Sequence, residues 1–274
     1  MRSRLVFLLI ALSGCSASRT VSPGRAAAAN AAVTSLATLA SRLVQGEVRS
    51  SDDVALALGA GAVSGLGFYE AKSLAGRGHL GLGLALGYAS ASLAENVSEG
   101  EHPLGAIRYG LGPLDVRVRT PLARSPRAVA VLEVNAAALA STAVLPFLGY
   151  RPDLEAGALV FRRPRDVLEG APDRLGFALG RVIALDTERA DVVAHEAVHV
   201  VQALQIGAVT PGYRIGLEVG AVPLALQADW GLAAMGALHL VVPYEQRWTE
   251  VEAFSLVPDL EAGCGGPVCT ADGR

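Results

Sequence analysis

The chain has 274 residues, enough for one large domain or two small ones with a sizeable core. Hydrophobic residues make up 51% and charged residues 18%; the mean hydropathy of +0.40 comes from Ala, Leu, Val and Gly rather than from aromatics, at 5%. A formal net charge of −3 and a pI near 6.0, with no basic stripe carrying interleaved aromatics, exclude nucleic acid as the expected partner.

Residues 1–14 read as a targeting segment. Arg2 and Arg4 form a basic start and Leu5 to Leu12 an apolar run, followed by Leu12-Ser13-Gly14-Cys15. This resembles the bacterial lipoprotein signal, which implies cleavage before Cys15 and lipidation of its thiol; an ordinary secretory signal is the alternative. Ser16 after the cysteine favours sorting to the outer membrane, so the expected location is the bacterial cell envelope, with membrane contact through the lipid. Lipidation of Cys15 leaves Cys264 and Cys269, in "CGGPVC", as an even pair in an oxidising compartment; they are expected to form a local disulfide. The expected layout is a signal at 1–14, a tether at 15–30, one domain at 31–262 and a tail at 263–274.

The apolar spacing from Ala31 to Val44 predicts a helix. From Val54 to Ala94 two Gly/Ala/Leu-rich runs of about 15 residues flank a charged break, "YEAKSLAGRGH". Each is short of the roughly 20 residues a spanning helix needs, so buried or membrane-apposed helices are expected. In the second run Leu80, Leu82, Leu84, Leu86 and Tyr88 alternate with small residues, and strand and helix both stay open. Leu114, Val116 and Val118 alternate with Asp115, Arg117 and Arg119, a half-exposed strand. Residues 127–149 are long enough to span, but Glu133 and Asn135 inside them favour a buried core helix. Short strands are expected at 157–164 and 180–186, another apolar stretch at 216–242, and a short helix between Pro243 and Pro258.

"DVVAHEAVHVVQ" (191–202) carries the chemistry. Thr187 or Asp186 suits a helix start, Glu188 its positive end and Gly207 its stop, which predicts a helix from about Glu188 to Ile206 behind an edge-like strand. Residues i and i+4 share a helix face, so His195 and His199 can aim ring nitrogens at one metal about 2.0–2.1 Å away. Glu196, about 100° round the helix, is placed to act as a base beside it. HExxH thus encodes two zinc ligands and a general base. The alternative is a core helix with two hydrogen-bonded histidines; the many valines around them make a metal the better partner for otherwise stranded imidazoles.

A catalytic zinc needs a third protein ligand. His195-Glu196-Ala197-Val198-His199, followed by Glu250-Val251-Glu252-Ala253, resembles the gluzincin zinc metallopeptidases. That resemblance implies Glu250 as third ligand, three residues before Ala253, with Glu252 as the fallback. Many relatives carry an aspartate directly after that alanine, where this chain has Phe254. "HEAVHVVQ" is also similar to small bacterial HExxH domains of unknown substrate. Gln202, seven residues after His195, could orient a ligand, bind substrate or lie on the surface. His239 reads as a buried histidine or a donor near the zinc, and Asp229 or Glu218 as a partner for a ligand's second nitrogen.

The fold is expected to be α+β, mostly helical, with a small sheet beside the HExxH helix. The expected function is a lipid-anchored metallopeptidase using zinc (Zn2+) to hydrolyse peptide bonds of a peptide or protein substrate. The alternative is a non-catalytic envelope lipoprotein with a structural metal or a docking role. A polytopic protease with spans at 128–149 and 216–242 is the third reading, opposed by the acids inside both.

Overall fold

In the computed structural model, which describes residues 22–123, 130–155, 158–163, 176–210, 213–219, 222–228 and 248–257, three long helices come first. Helix α1 (Pro23–Gln45) opens on a proline whose fixed φ suits a first turn, and closes on Gly46 at φ 75°. It therefore starts eight residues before the expected Ala31, and residues 23–30, expected as tether, are helical. Helix α2 (Ser51–Gly76) begins with a capping box: Asp53 N–H donates to Ser50 Oγ at 3.2 Å, and Ser50 N–H donates to Asp53 Oδ2 at 3.0 Å. It runs through most of the charged segment expected to break it. Helix α3 (Leu80–Ser98) resolves the ambiguous alternation as helix.

The faces of α1 are reversed from the usual order. Thr34, Ser35, Thr38, Ser41 and Arg42 point inward, while Val33, Leu36 and Leu43 are exposed. The inward side is polar and small, so α2 can approach backbone to backbone. A Cβ on Gly61 would lie 2.5 Å from Ser35 Cα, and one on Gly65 only 2.3 Å from the Asn30 carbonyl oxygen. Gly65→Ala is therefore expected to push α1 off α2 and cost about 1–3 kcal/mol, read as a lowered thermal unfolding midpoint. An unchanged midpoint would refute this packing.

Strands β1 (Ala106–Leu111), β2 (Leu114–Arg119) and β3 (Ala130–Asn135) start a five-stranded sheet, continued by β9 (Val222–Ala228) and β8 (Tyr213–Val219) in the order β1-β2-β3-β9-β8. Pairing is antiparallel except between β3 and β9. The expected strand is present as β2, but its charged side turns inward. Arg108, Asp115, Arg117 and Glu133 are buried, while Ile107, Tyr109, Leu114, Val116 and Val118 are exposed. The buried charges compensate one another: Arg108 donates to Glu95 at 2.6 Å and to Glu133 at 2.9 Å, and Arg117 to Glu99 at 2.8 Å. Arg181 donates to Asp115. Such pairing is what makes buried ions tolerable.

The core helix expected over 127–149 is instead β3 followed by α4 (Ala136–Val144). Glu133 alternates with Leu132 and Val134 and meets Arg108 across the sheet, which favours strand. Asn135 then caps α4, accepting from Ala138 N–H at 2.9 Å. The described part of 216–242 is likewise strand, so neither segment forms a spanning helix there. The helices long and apolar enough to cross a membrane, among the described residues, are α2 and the HExxH helix, and the latter is core.

A second sheet orders β4 (Arg151–Glu155), β5 (Ala158–Arg162), β7 (Val182–Leu185) and β6 (Gly176–Leu179) as β4-β5-β7-β6. The strand before the motif, β7, is interior and buried throughout, not the edge strand expected. Helix α5 (Ala190–Val209) packs Val192, Val193, Ala197, Val198, Val201 and Leu204 into one cluster with Phe68 and Ala71 of α2, Leu84 of α3, and Val160, Ile183 and Leu185 of the sheet. The last described helix is α6 (Trp248–Leu256). The fold is thus α+β and mostly helical, with a small sheet beside the HExxH helix.

Candidate metal centre

Helix α5 starts two residues later than expected. Its N-cap is Arg189, without a side-chain cap; Thr187 Oγ1 accepts from Arg189 N–H at 3.3 Å just outside. Asp191 supplies the negative charge in the first turn. Gly207 does not stop the helix; it lies buried in the last turn. Within this helix His195 and His199 fall on one face, their rings edge to face with centroids 4.8 Å apart. Helix α6 lies against α5 through Ala253 and Val257, both buried in the same core. The small Ala253 permits the close approach, and Glu250, one turn earlier, is thereby aimed at the histidines.

Three atoms meet. Glu250 Oε2 lies 3.3 Å from His195 Nε2 and 3.2 Å from His199 Nε2, and the two nitrogens are 3.2 Å apart. A triangle with nearly equal edges is a poor hydrogen-bonding pattern, because an N–H aimed along one edge misses the other by about 60°. It is a good coordination pattern. Tetrahedral ligands about 2.0–2.1 Å from zinc sit about 3.3–3.4 Å from one another. His195, His199 and Glu250 fit three ligands of such an ion.

Comparison with protein families, curated proteins and solved structures finds no match.

The charges are strongly coupled. Burial works against a proton on His199, but the hydrogen bond and charge of Glu250, the charge of Glu196 and the bond to Gln202 outweigh it, and its pKa is pushed up to about 9. Burial lowers the His195 pKa. Burial alone would raise Glu250, yet the two histidines hold it well below the usual carboxylate range. Glu196 lies outside the triangle, 6% exposed, and burial pushes its carboxyl up to about 7. Its Oε2 has no hydrogen-bond partner among the described residues.

A cation must displace the His199 proton before it can bind there. Apparent zinc affinity is therefore expected to rise about tenfold per pH unit from near pH 7 and to level off around pH 9. Chelator competition across that range checks it; a flat profile would contradict a protonated His199.

The other sequence candidates separate cleanly. Glu252, the fallback ligand, points away from the triangle: Oε1 accepts from Lys72 Nζ at 2.6 Å and from Asn30 Nδ2 at 3.0 Å. Gln202 takes the orienting place, its Oε1 lying 2.7 Å from His199 Nδ1. Phe254 packs against the His195 ring at a tilt of 52° with centroids 4.5 Å apart, and His195 Nδ1 is buried without a partner among the described residues. Cys15, Asp229, His239, Cys264 and Cys269, and the Glu218 side chain, lie outside the described residues.

Sequence reasoning missed Lys72, Asn30, Gln205 and Thr34, a polar cluster behind the ligands. One signal was present: Lys72 stands between Phe68 and Ala75 on the helix face that enters the core.

Proposed function

We propose that the protein is a zinc-dependent hydrolase of the gluzincin type, cleaving peptide bonds of a peptide or protein substrate. We further propose that it is lipid-anchored through Cys15 in the bacterial envelope, on the outer membrane. The observation that carries the enzymatic reading is the triangle of His195, His199 and Glu250 with the buried Glu196 outside it, whose Oε2 has no hydrogen-bond partner among the described residues. Its support for the anchor is the Leu12-Ser13-Gly14-Cys15 pattern.

Zinc, when bound, supplies a Lewis acid that acidifies an attacking water and polarises the scissile carbonyl. His195 and His199 contribute neutral nitrogens and Glu250 a carboxylate, leaving one net positive charge for that work. Glu196 accepts the water's proton as the carbon–oxygen bond forms, and delivers it to the departing amine nitrogen as the carbon–nitrogen bond breaks. Burial raises the Glu196 carboxyl, and a bound cation would draw it back toward the carboxylate that accepts a proton.

A second reading, a metal that only clamps α5 to α6, is favoured by the burial of the site: His195 is 3% exposed and Glu196 6%. The His199 and Glu250 side chains retain 14% and 12%. Metal content and turnover of a peptide library on the purified chain decide between them. Stoichiometric zinc with cleavage supports the hydrolase; zinc required for folding without cleavage supports the clamp; absence of zinc refutes both.

A further inference from the structure

Resting on the zinc reading, we infer that Lys72, Glu252 and Gln202 are positioning residues: a one-way chain of hydrogen bonds from a buried ammonium that leaves His199 Nε2 free for the metal.

The direction of each bond is forced from the far end. Lys72 Nζ is a pure donor with three protons, and its side chain is fully buried. It meets three acceptors: Asn30 Oδ1 at 2.6 Å, Glu252 Oε1 at 2.6 Å and Gln205 Oε1 at 3.1 Å. The two amides are fixed accordingly. Gln205 turns its Nε2 to Thr34 Oγ1 at 2.9 Å and to Asn30 Oδ1 at 3.2 Å, and Asn30 turns its Nδ2 to Glu252 Oε1.

Glu252, an acceptor at both oxygens, then accepts from Gln202 Nε2 at 2.8 Å, and the Thr249 carbonyl accepts from the same nitrogen at 3.0 Å. With its amide nitrogen committed to two acceptors, Gln202 can offer only Oε1 to His199. His199 Nδ1 keeps its proton toward Gln202, so the proton that a metal displaces is the one on Nε2, and the lone pair this frees faces Glu250 Oε2 and His195 Nε2. A neutral imidazole offers only one lone pair, and this chain decides which nitrogen presents it.

The polarity can be reversed by one atom. In Glu252→Gln, the new side chain must show its oxygen to Lys72 and Asn30, which leaves its amide nitrogen facing the Gln202 amide nitrogen. Gln202 relieves that clash by flipping, which gives up its bond to the Thr249 carbonyl, and its Nε2 then drives the His199 proton from Nδ1 to Nε2. In Lys72→Met/Glu252→Gln no ammonium dictates the direction. Asn30 is free to turn, and the new glutamine can again present oxygen to Gln202.

Zinc affinity by chelator competition, with 15N spectra of the histidine rings in the metal-free protein at a pH high enough for His199 to be neutral, tests this on the full chain. Glu252→Gln is expected to bind zinc about 10–100-fold more weakly, with the His199 proton on Nε2. The double variant is expected to recover most of the loss. That recovery would not follow if Lys72 and Glu252 merely held the fold together. Should Glu252→Gln fail to fold, Gln202→Met decides: it leaves the Lys72–Glu252 pair intact and is expected to lose zinc affinity by the same factor. Parent-like zinc binding in the variants, or a double variant no tighter than the single, overturns the chain of bonds while leaving the metal reading standing. A parent that binds no zinc overturns the metal reading, and this inference with it.

Discussion

Glu196→Gln is expected to keep zinc bound and to lower peptide hydrolysis by on the order of 10²–10⁴-fold. The substitution preserves shape and hydrogen-bonding size but cannot accept the proton of the attacking water. Two observations make the prediction sharp. Glu196 contributes no atom to the ligand triangle, so metal content should not change. Its carboxyl is buried and its Oε2 unpaired among the described residues, so the amide displaces no structural contact there. Zinc stoichiometry and turnover measured on the same preparation give the answer. A variant as active as the parent would remove Glu196 from the mechanism.

Glu250→Ala should have the opposite signature, with the metal itself lost. Binding worth about 10–16 kcal/mol shared over four ligands assigns about 2.5–4 kcal/mol to each, a factor of roughly 10²–10³ in affinity per ligand. Removing Glu250 also removes the anion that stabilises the His199 proton, so that imidazole should titrate nearer its ordinary value. Chelator competition at fixed pH measures the first effect and histidine titration of the metal-free variant the second. Unchanged zinc affinity would show that Glu250 is not a ligand, whatever the geometry suggests.

Much of the candidate metal centre was legible in the sequence because its information is local. Helical spacing alone places His195 and His199 together, and the Glu250-to-Ala253 spacing puts a carboxylate one turn from a buried small residue. What was not legible depends on distant partners. Lys72 lies 42, 133 and 180 residues from its acceptors, so nothing near it in the chain shows why an ammonium can be buried there. The strand at 114–119 was recognisable by alternation, yet alternation is the same whichever face is buried. The inward turn of Asp115 and Arg117 was set by Glu95, Glu99, Glu133 and Arg181. Residues 127–149 misled for a related reason: an apolar run reads equally as strand or helix until Glu133 finds Arg108.

The hydrogen bond from Asn30 to Glu252 joins the earliest and the latest described helices across 222 residues. It gives the site a place in time. The chain enters the compartment in which it folds N-terminus first, so His199 arrives 51 residues ahead of the glutamate that completes the triangle. Through that interval α5 carries two imidazoles with neither the Glu250 carboxylate nor the Glu252 carboxylate that accepts from Gln202. Closure of the candidate metal site is thus expected late in folding, timed by the last described helix.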